Sequence, residues 1–224
     1  MSVTARAPAG LYTIAPAWHT CALLAMLAVF AGSLAYLRVG SNHPRLGHLL
    51  FCSMTIVFEW GVFAFILWRS NPVFTGYVLS VFQNRRTLWL DVLVALALCV
   101  ISVLIAPIMV HMLGPAGWAS LEGMRPNNGT EIAFWIVTSI SAGISEETVF
   151  RGYLQQQLAS WTGHVSIGIL AQATVFGLTH GYQGWKNMVF VFVLGIIFGT
   201  AVSLRKGLRA NIMAHATMDA LAAF

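Results

Sequence analysis

The stretch Ser145-Glu146-Glu147-Thr148-Val149-Phe150-Arg151 is followed by His180 and then by Asn211, His215 and Asp219, all set into otherwise apolar segments. Ionisable groups inside apolar helices cost a few kcal/mol each on insertion scales, so each is expected to be paired or functional and to face the protein interior. At about 100° per residue, Glu147 and Arg151 stand one turn apart on one face, within reach of an ion pair, while Glu146 points about 100° away. The two carboxylates then cannot share one job. Glu147 would be held ionised by Arg151, and Glu146 would be left free to face a cavity, partly desolvated, as suits a general base. His180 is the expected acid–base partner. Asn211, His215 and Asp219 follow one another at i, i+4 and i+8 and form a polar stripe on the last helix. The competing reading is structural: an ion-pair cluster stapling helices together, with Asn and His joining them by hydrogen bonds.

The elements that must position these groups are membrane helices. The 224 residues are 58% hydrophobic and only 8% charged, which excludes an ordinary soluble domain. Runs such as Leu88 to His111 are apolar on every face, so the fold class expected is an all-α transmembrane bundle and not a barrel of alternating strands. With roughly 20 residues per crossing, there is room for about seven spans, at about 17–37, 49–68, 88–113, 131–161, 163–182, 187–204 and 208–224. Gly40 to Pro44, Ser70-Asn71-Pro72, Gly114-Pro115 and Arg125 to Gly129 supply the turns, the last ending at Thr130 as a helix cap. Segment 73–83 is too apolar for an ordinary loop and is expected at the membrane interface. The first run, preceded only by Arg6, reads as an anchor and not as a cleaved signal peptide.

If the helix carrying Glu146 turns at Thr162-Gly163, Glu146 lies about 16 residues before the turn and His180 about 17 after it. An antiparallel hairpin then brings them to one depth. Gly152 to Ser160, with three consecutive glutamines, is polar enough to project past the cytoplasmic face, leaving the site in the cytoplasmic half of the bilayer. Arg6, Arg69, Arg85, Arg86, Arg205, Lys206 and Arg209 fall on one side and Arg38, Arg45, Arg125 and Lys186 on the other. Seven against four puts the N-terminus in the cytoplasm, with a bacterial cell membrane as the expected location.

The net charge of +5 is spent on these connectors, which leaves no patch for nucleic acid. Cys21, Cys52 and Cys99 sit one to a run, without metal-ligand spacing. Gly195 and Gly199 read as a small-xxx-small helix contact. Glu59 is a further buried acid, either paired with a base on a neighbouring helix or protonated.

Glu146-Glu147-x-x-x-Arg151, Phe176-x-x-x-His180 and His215-x-x-x-Asp219, in that order on successive helices, resemble the three motifs of the CPBP family of intramembrane proteases, which includes the type II CAAX prenyl endopeptidases. The resemblance covers residues 131–224, read as the protease core; residues 1–130 are N-terminal transmembrane helices of unassigned role. It implies an endopeptidase whose cavity opens within the bilayer and whose substrate is a peptide or membrane-protein tail, prenylated or otherwise lipidated. Glu146 and His180 would activate water, Glu147 and Arg151 would brace the helix, and His215 with Asp219 would face the oxyanion. Asp219 departs from the Asn expected of eukaryotic-type members, whose amide can donate to an oxyanion; an ionised carboxylate cannot. Glu146, His180 and His215 would also make a zinc set, so the resemblance leaves the cofactor open between none, in a glutamate mechanism, and zinc, in a metalloprotease. Two other classes fit the same residue types: a transporter or channel with a proton relay, and a non-catalytic membrane scaffold or immunity protein.

Overall fold

The computed structural model describes residues 10–39, 47–83, 88–115, 125–222 and 224, with only the backbone described for 37–39, 82 and 83. Arg6, Arg45, Arg85 and Arg86, the side chain of Arg38 and the turn at Gly40 to Pro44 lie outside the described residues. The rest is helical: α1 Ala17–Val39, α2 His48–Arg69, α3 Pro72–Gln83, α4 Leu88–Leu113, α5 Gly129–Glu146, α6 Gln155–Thr162, α7 Val165–Thr179, α8 Trp185–Arg205 and α9 Arg209–Leu221. Between α5 and α6 the chain stays helical but widens into a π-helix over Glu147–Leu154, and a single 3₁₀ turn, Gly181–Gln183, links α7 to α8.

Among the described residues, four helices are long and apolar enough to cross a membrane, at Ala17–Tyr36, His48–Arg69, Leu88–Leu113 and Trp185–Arg205. The expected run 131–161 is one continuous path through α5, the π segment and α6. The other two expected spans are short: α7 and α9 rise about 22 Å and about 20 Å along their axes. Segment 73–83 is α3, opened by an Asn71 side chain that accepts from the Phe74 N–H at 2.9 Å. Its Phe74 and Val78 are buried in the core, so it packs as part of the bundle.

Helix ends follow local chemistry. The cap of α5 is Asn128 and not Thr130: the Asn128 side chain accepts from the Glu131 N–H at 3.0 Å, and the Glu131 carboxylate reaches back to the Asn127 N–H at 2.7 Å. Gly163, at φ +75°, closes α6 and turns the chain into α7, where an L side chain would be strained. Backbones approach closely where side chains are absent. A Cβ on Gly143 would stand 2.9 Å from the Ile212 carbonyl, which sets α5 against α9, and Gly195 packs on Ala173 to join α7 and α8.

Among the described residues, two apolar clusters fill the interior. The larger joins Leu23, Leu27, Val62, Ile66, Phe74, Val149, Phe150, Tyr153 and Phe176, and the smaller joins Ala95, Leu98, Phe198 and Ala214. The glutamines of α6 do not project into water. Gln157 binds the backbone of Ile14 and Ala15, and Gln155 donates to the Gly199 carbonyl and to Ser203. They satisfy backbone groups inside the protein, which is why a polar stretch is compatible with burial. At the same end of the bundle, Asp91 takes Arg205 at 2.8 Å and Arg209 at 3.3 Å. The opposite end is marked by Lys186, which donates to the Gly114 carbonyl at 2.8 Å.

Candidate functional site

Glu147 is the most heavily partnered acid. It is 0% exposed; its Oε1 lies 3.1 Å from an Arg151 nitrogen and 2.8 Å from His215 Nδ1, and its Oε2 accepts from Asn211 Nδ2 at 3.3 Å. The expected Glu147–Arg151 pair is therefore present, although the segment is π-helical and not the regular helix that a spacing of four presupposes. Such wide turns recur at functional sites because they re-aim side chains within a continuous helix. The Arg151 guanidinium is also buried and sits 4.0 Å from the centre of the Phe176 ring and 5.6 Å from that of Phe198. Asn211 and His215 face the same carboxylate from α9, one turn apart, so two of the three residues of the polar stripe on that helix are used to hold Glu147.

His215 joins this buried cluster to Glu146. A carboxylate only accepts, so the His215 nitrogen facing Glu147, Nδ1, carries a proton. Its Nε2 stands 3.3 Å from Asp219 Oδ2 and 3.7 Å from Glu146 Oε2. Asp219 is the outermost of the set, its side chain 44% exposed, and the Trp135 indole donates to its carbonyl at 2.7 Å, tying the end of α9 to α5.

Glu146 is placed differently from its neighbour. Its Oε2 is buried and accepts no hydrogen bond. The residue lines a cavity of about 60 Å³ together with Glu59, Ser145, Phe150, His180 and Tyr182. At roughly 10–15 Å³ of accessible space each, a few waters fit there. His180 ends α7, and its Nδ1 lies 2.8 Å from the Phe176 carbonyl. That carbonyl can only accept, so Nδ1 is the protonated nitrogen and Nε2 of a neutral ring is left with its lone pair. Tyr182 stacks on the His180 ring at 6.2 Å.

The hairpin thus brings Glu146 and His180 to one cavity. Its level in the bundle differs from expectation: α7 is short, so His180 falls at its exit beside the turn that leads to Lys186, and the cavity lies towards that end and not towards the glutamine end. Asn211 is not among the residues that line the cavity; it is buried behind Glu147. Among the described residues, no three His, Cys, Asp or Glu side chains gather as a metal ion requires. His215 turns Nδ1 to Glu147 and Nε2 to both Asp219 and Glu146.

Glu59 belongs to the site although its spacing gave no sign of it. Half-way along α2 and 5% exposed, it accepts from Ser141 at 2.6 Å through Oε2, and its backbone carbonyl accepts from Ser145 at 2.9 Å. The only signal in the sequence was an acid in an apolar run; which helix faces it is a tertiary fact.

Residues 128–221, from the cap of α5 to the last residue of α9, match the family described as type II CAAX prenyl endopeptidase Rce1-like. No curated protein and no solved structure matches the chain. This region belongs to the CAAX protease-like family that its motifs resemble. The chain is built as an all-helical membrane bundle, and residues 128–221 carry its similarity to CAAX-type intramembrane proteases.

Proposed function

We propose that the chain hydrolyses a peptide bond in a membrane-associated substrate, prenylated or otherwise lipidated, with Glu146 as the base that activates water. The observation that carries this reading is Glu146 Oε2, which accepts no hydrogen bond and is held in a cavity beside His180, 3.7 Å from His215. A carboxylate left without donors is free to take a proton, whereas one saturated with donors, such as Glu147, is not.

In the proposed step, a water in the cavity gives a proton to Glu146, oriented by the lone pair of His180 Nε2, and its oxygen bonds to the carbonyl carbon. His215, with Glu147 at Nδ1 and Asp219 at Nε2, is surrounded by carboxylates that favour a positive ring. Such a ring supports the negative charge that develops on the carbonyl oxygen. Asp219 orients His215 from outside. Glu147, Arg151 and Asn211 keep the ring and the helix in register. The chain is read with its N-terminus in the cytoplasm, supported by the side that carries Arg69, Arg205, Lys206 and Arg209. Residues 1–130 contribute part of the cavity wall through α1 and α2.

The test is cleavage of a lipidated or transmembrane peptide by purified protein in liposomes. Glu146→Gln keeps the shape and removes the base, so turnover should fall by about 10²–10⁴-fold with thermal stability nearly unchanged. Near wild-type turnover would assign the base elsewhere.

A further inference from the structure

Glu59 is held in a way that a helix brace does not require. Ser141 and Ser145, one turn apart on α5, fasten its Oε2 and its backbone carbonyl, which is enough to lock α2 against α5. Its second oxygen, Oε1, is buried and accepts no hydrogen bond. Because the Ser141 hydroxyl donates to Oε2, Oε1 is the oxygen left to carry a proton or to meet a water in the cavity. The same cavity is lined by Glu146, whose Oε2 is likewise buried and accepts no hydrogen bond. Two carboxyl groups in one small, poorly solvated space cannot both ionise cheaply, and the pattern of two acids with separate roles follows when one keeps its proton. Cations favour Glu146 as the ionised member, since His215 Nε2 stands 3.7 Å from it. Among the described residues, Glu59 takes its side-chain and carbonyl hydrogen bonds from Ser141 and Ser145.

We propose that Glu59 is a second catalytic acid of the site, donating its proton to the nitrogen that leaves when the peptide bond breaks. This rests on the reading of Glu146 as base. Water gives one proton to Glu146 while its oxygen forms the new bond to the carbonyl carbon, and the carbonyl pair moves onto oxygen. As that pair returns, the C–N bond breaks, its electrons go to nitrogen, and nitrogen takes the Glu59 proton. The products are a carboxylic acid and an amine. The proton held by Glu146 then passes through cavity water to Glu59, which restores both groups. No oxidant or further reactant is required. The N-terminal helices are then part of the catalytic machinery through α2.

The assignment separates from a structural role by leaving-group chemistry. An amide needs a proton on the departing nitrogen, while a nitrophenyl ester releases a stable phenolate without one. Full-length protein in liposomes is given a lipidated peptide and the same peptide with the scissile amide replaced by a nitrophenyl ester. Glu59→Gln retains an acceptor for Ser141, so the brace survives. It should cleave the amide about 10²-fold more slowly or worse, and the ester within about tenfold of wild type. Equal slowing on both substrates, or no slowing on the amide, overturns the proposal. Glu146→Gln should lose both reactions; if it keeps both, the base assignment fails, and the amide–ester contrast of Glu59→Gln still reports on Glu59. Should Glu59→Gln not fold, Ser141→Ala carries the test, because it loosens the carboxyl group without removing it. Slowing confined to the amide supports the role, and equal or absent effects overturn it.

Discussion

The Glu147 side of the π-helical segment and the Glu146 side differ in how completely their carboxylates are met. On the first, a fully buried carboxylate faces Arg151, Asn211 and His215, and two phenylalanine rings flank the arginine. On the second, Glu146 and Glu59 each present an oxygen without a donor to a water-sized cavity. Both sides are costly in an apolar bundle, and Arg151 Nε and Asn211 Oδ1 are also buried without hydrogen bonds, but only on the first side is the carboxylate itself compensated on both oxygens. Adjacent residues of one type have thus been divided between holding the helices and facing the reaction space. The contrast also explains why His215 matters twice: one ring nitrogen belongs to the compensated side and the other opens towards Glu146.

If that contrast is right, Glu147→Gln should have the largest effect on the protein itself. It removes the charge opposite Arg151, which stays buried and unpaired, and breaking such a pair costs about 3–5 kcal/mol. Low yield of folded protein and a depressed midpoint in thermal unfolding should accompany lost cleavage. Glu146→Gln should instead lose cleavage alone, so a stable Glu147→Gln variant would erase the distinction. Asn211→Ala comes next. It takes one donor from Glu147 and one from the Phe198 carbonyl, which is 2.9 Å from the amide. The expected cost is about 1–3 kcal/mol in unfolding, with cleavage reduced less than in either glutamate variant. Cleavage lost as fully as in Glu146→Gln, at unchanged stability, would move Asn211 into the reaction space.

Much of this was legible in the chain. The four long apolar helices follow from composition, Gly163 from turn chemistry, and the Glu147–Arg151 pair from a spacing of four that survives the change to π-helix. The meeting of Glu146 with His180 came from counting residues on either side of one turn. What could not be read was set by contacts between distant segments. The glutamines of α6 look solvent-seeking until the backbone of Ile14 and Ala15 is brought to them. Asn128 took the cap expected of Thr130 because both Asn128 and Glu131 could close it. Glu59 had no partner at helical spacing, so only the packing of α2 on α5 could bring it to the cavity.

The smallest expected effect is at Asp219, and it bears on the chemistry of the open side. A carboxylate that served as a metal ligand, or that fixed the tautomer of His215, would lose about 10–100-fold in affinity or activity on changing to Asn. In this bundle the tautomer is already set from the other nitrogen, by Glu147 at 2.8 Å. Asp219 lies 3.3 Å from Nε2 and remains well exposed. An asparagine there could still accept from His215 through its carbonyl oxygen, and its amide could donate to a developing oxyanion, which an ionised carboxylate cannot do. Asp219→Asn should therefore change cleavage by less than about tenfold, or raise it, and the result should be the same with chelator or with added zinc. The assay is peptide cleavage by the variant and the wild type under the three conditions. A weakened variant, together with wild-type activity that chelator removes and zinc restores, would make Asp219 part of a metal site and replace the orienting role assigned to it.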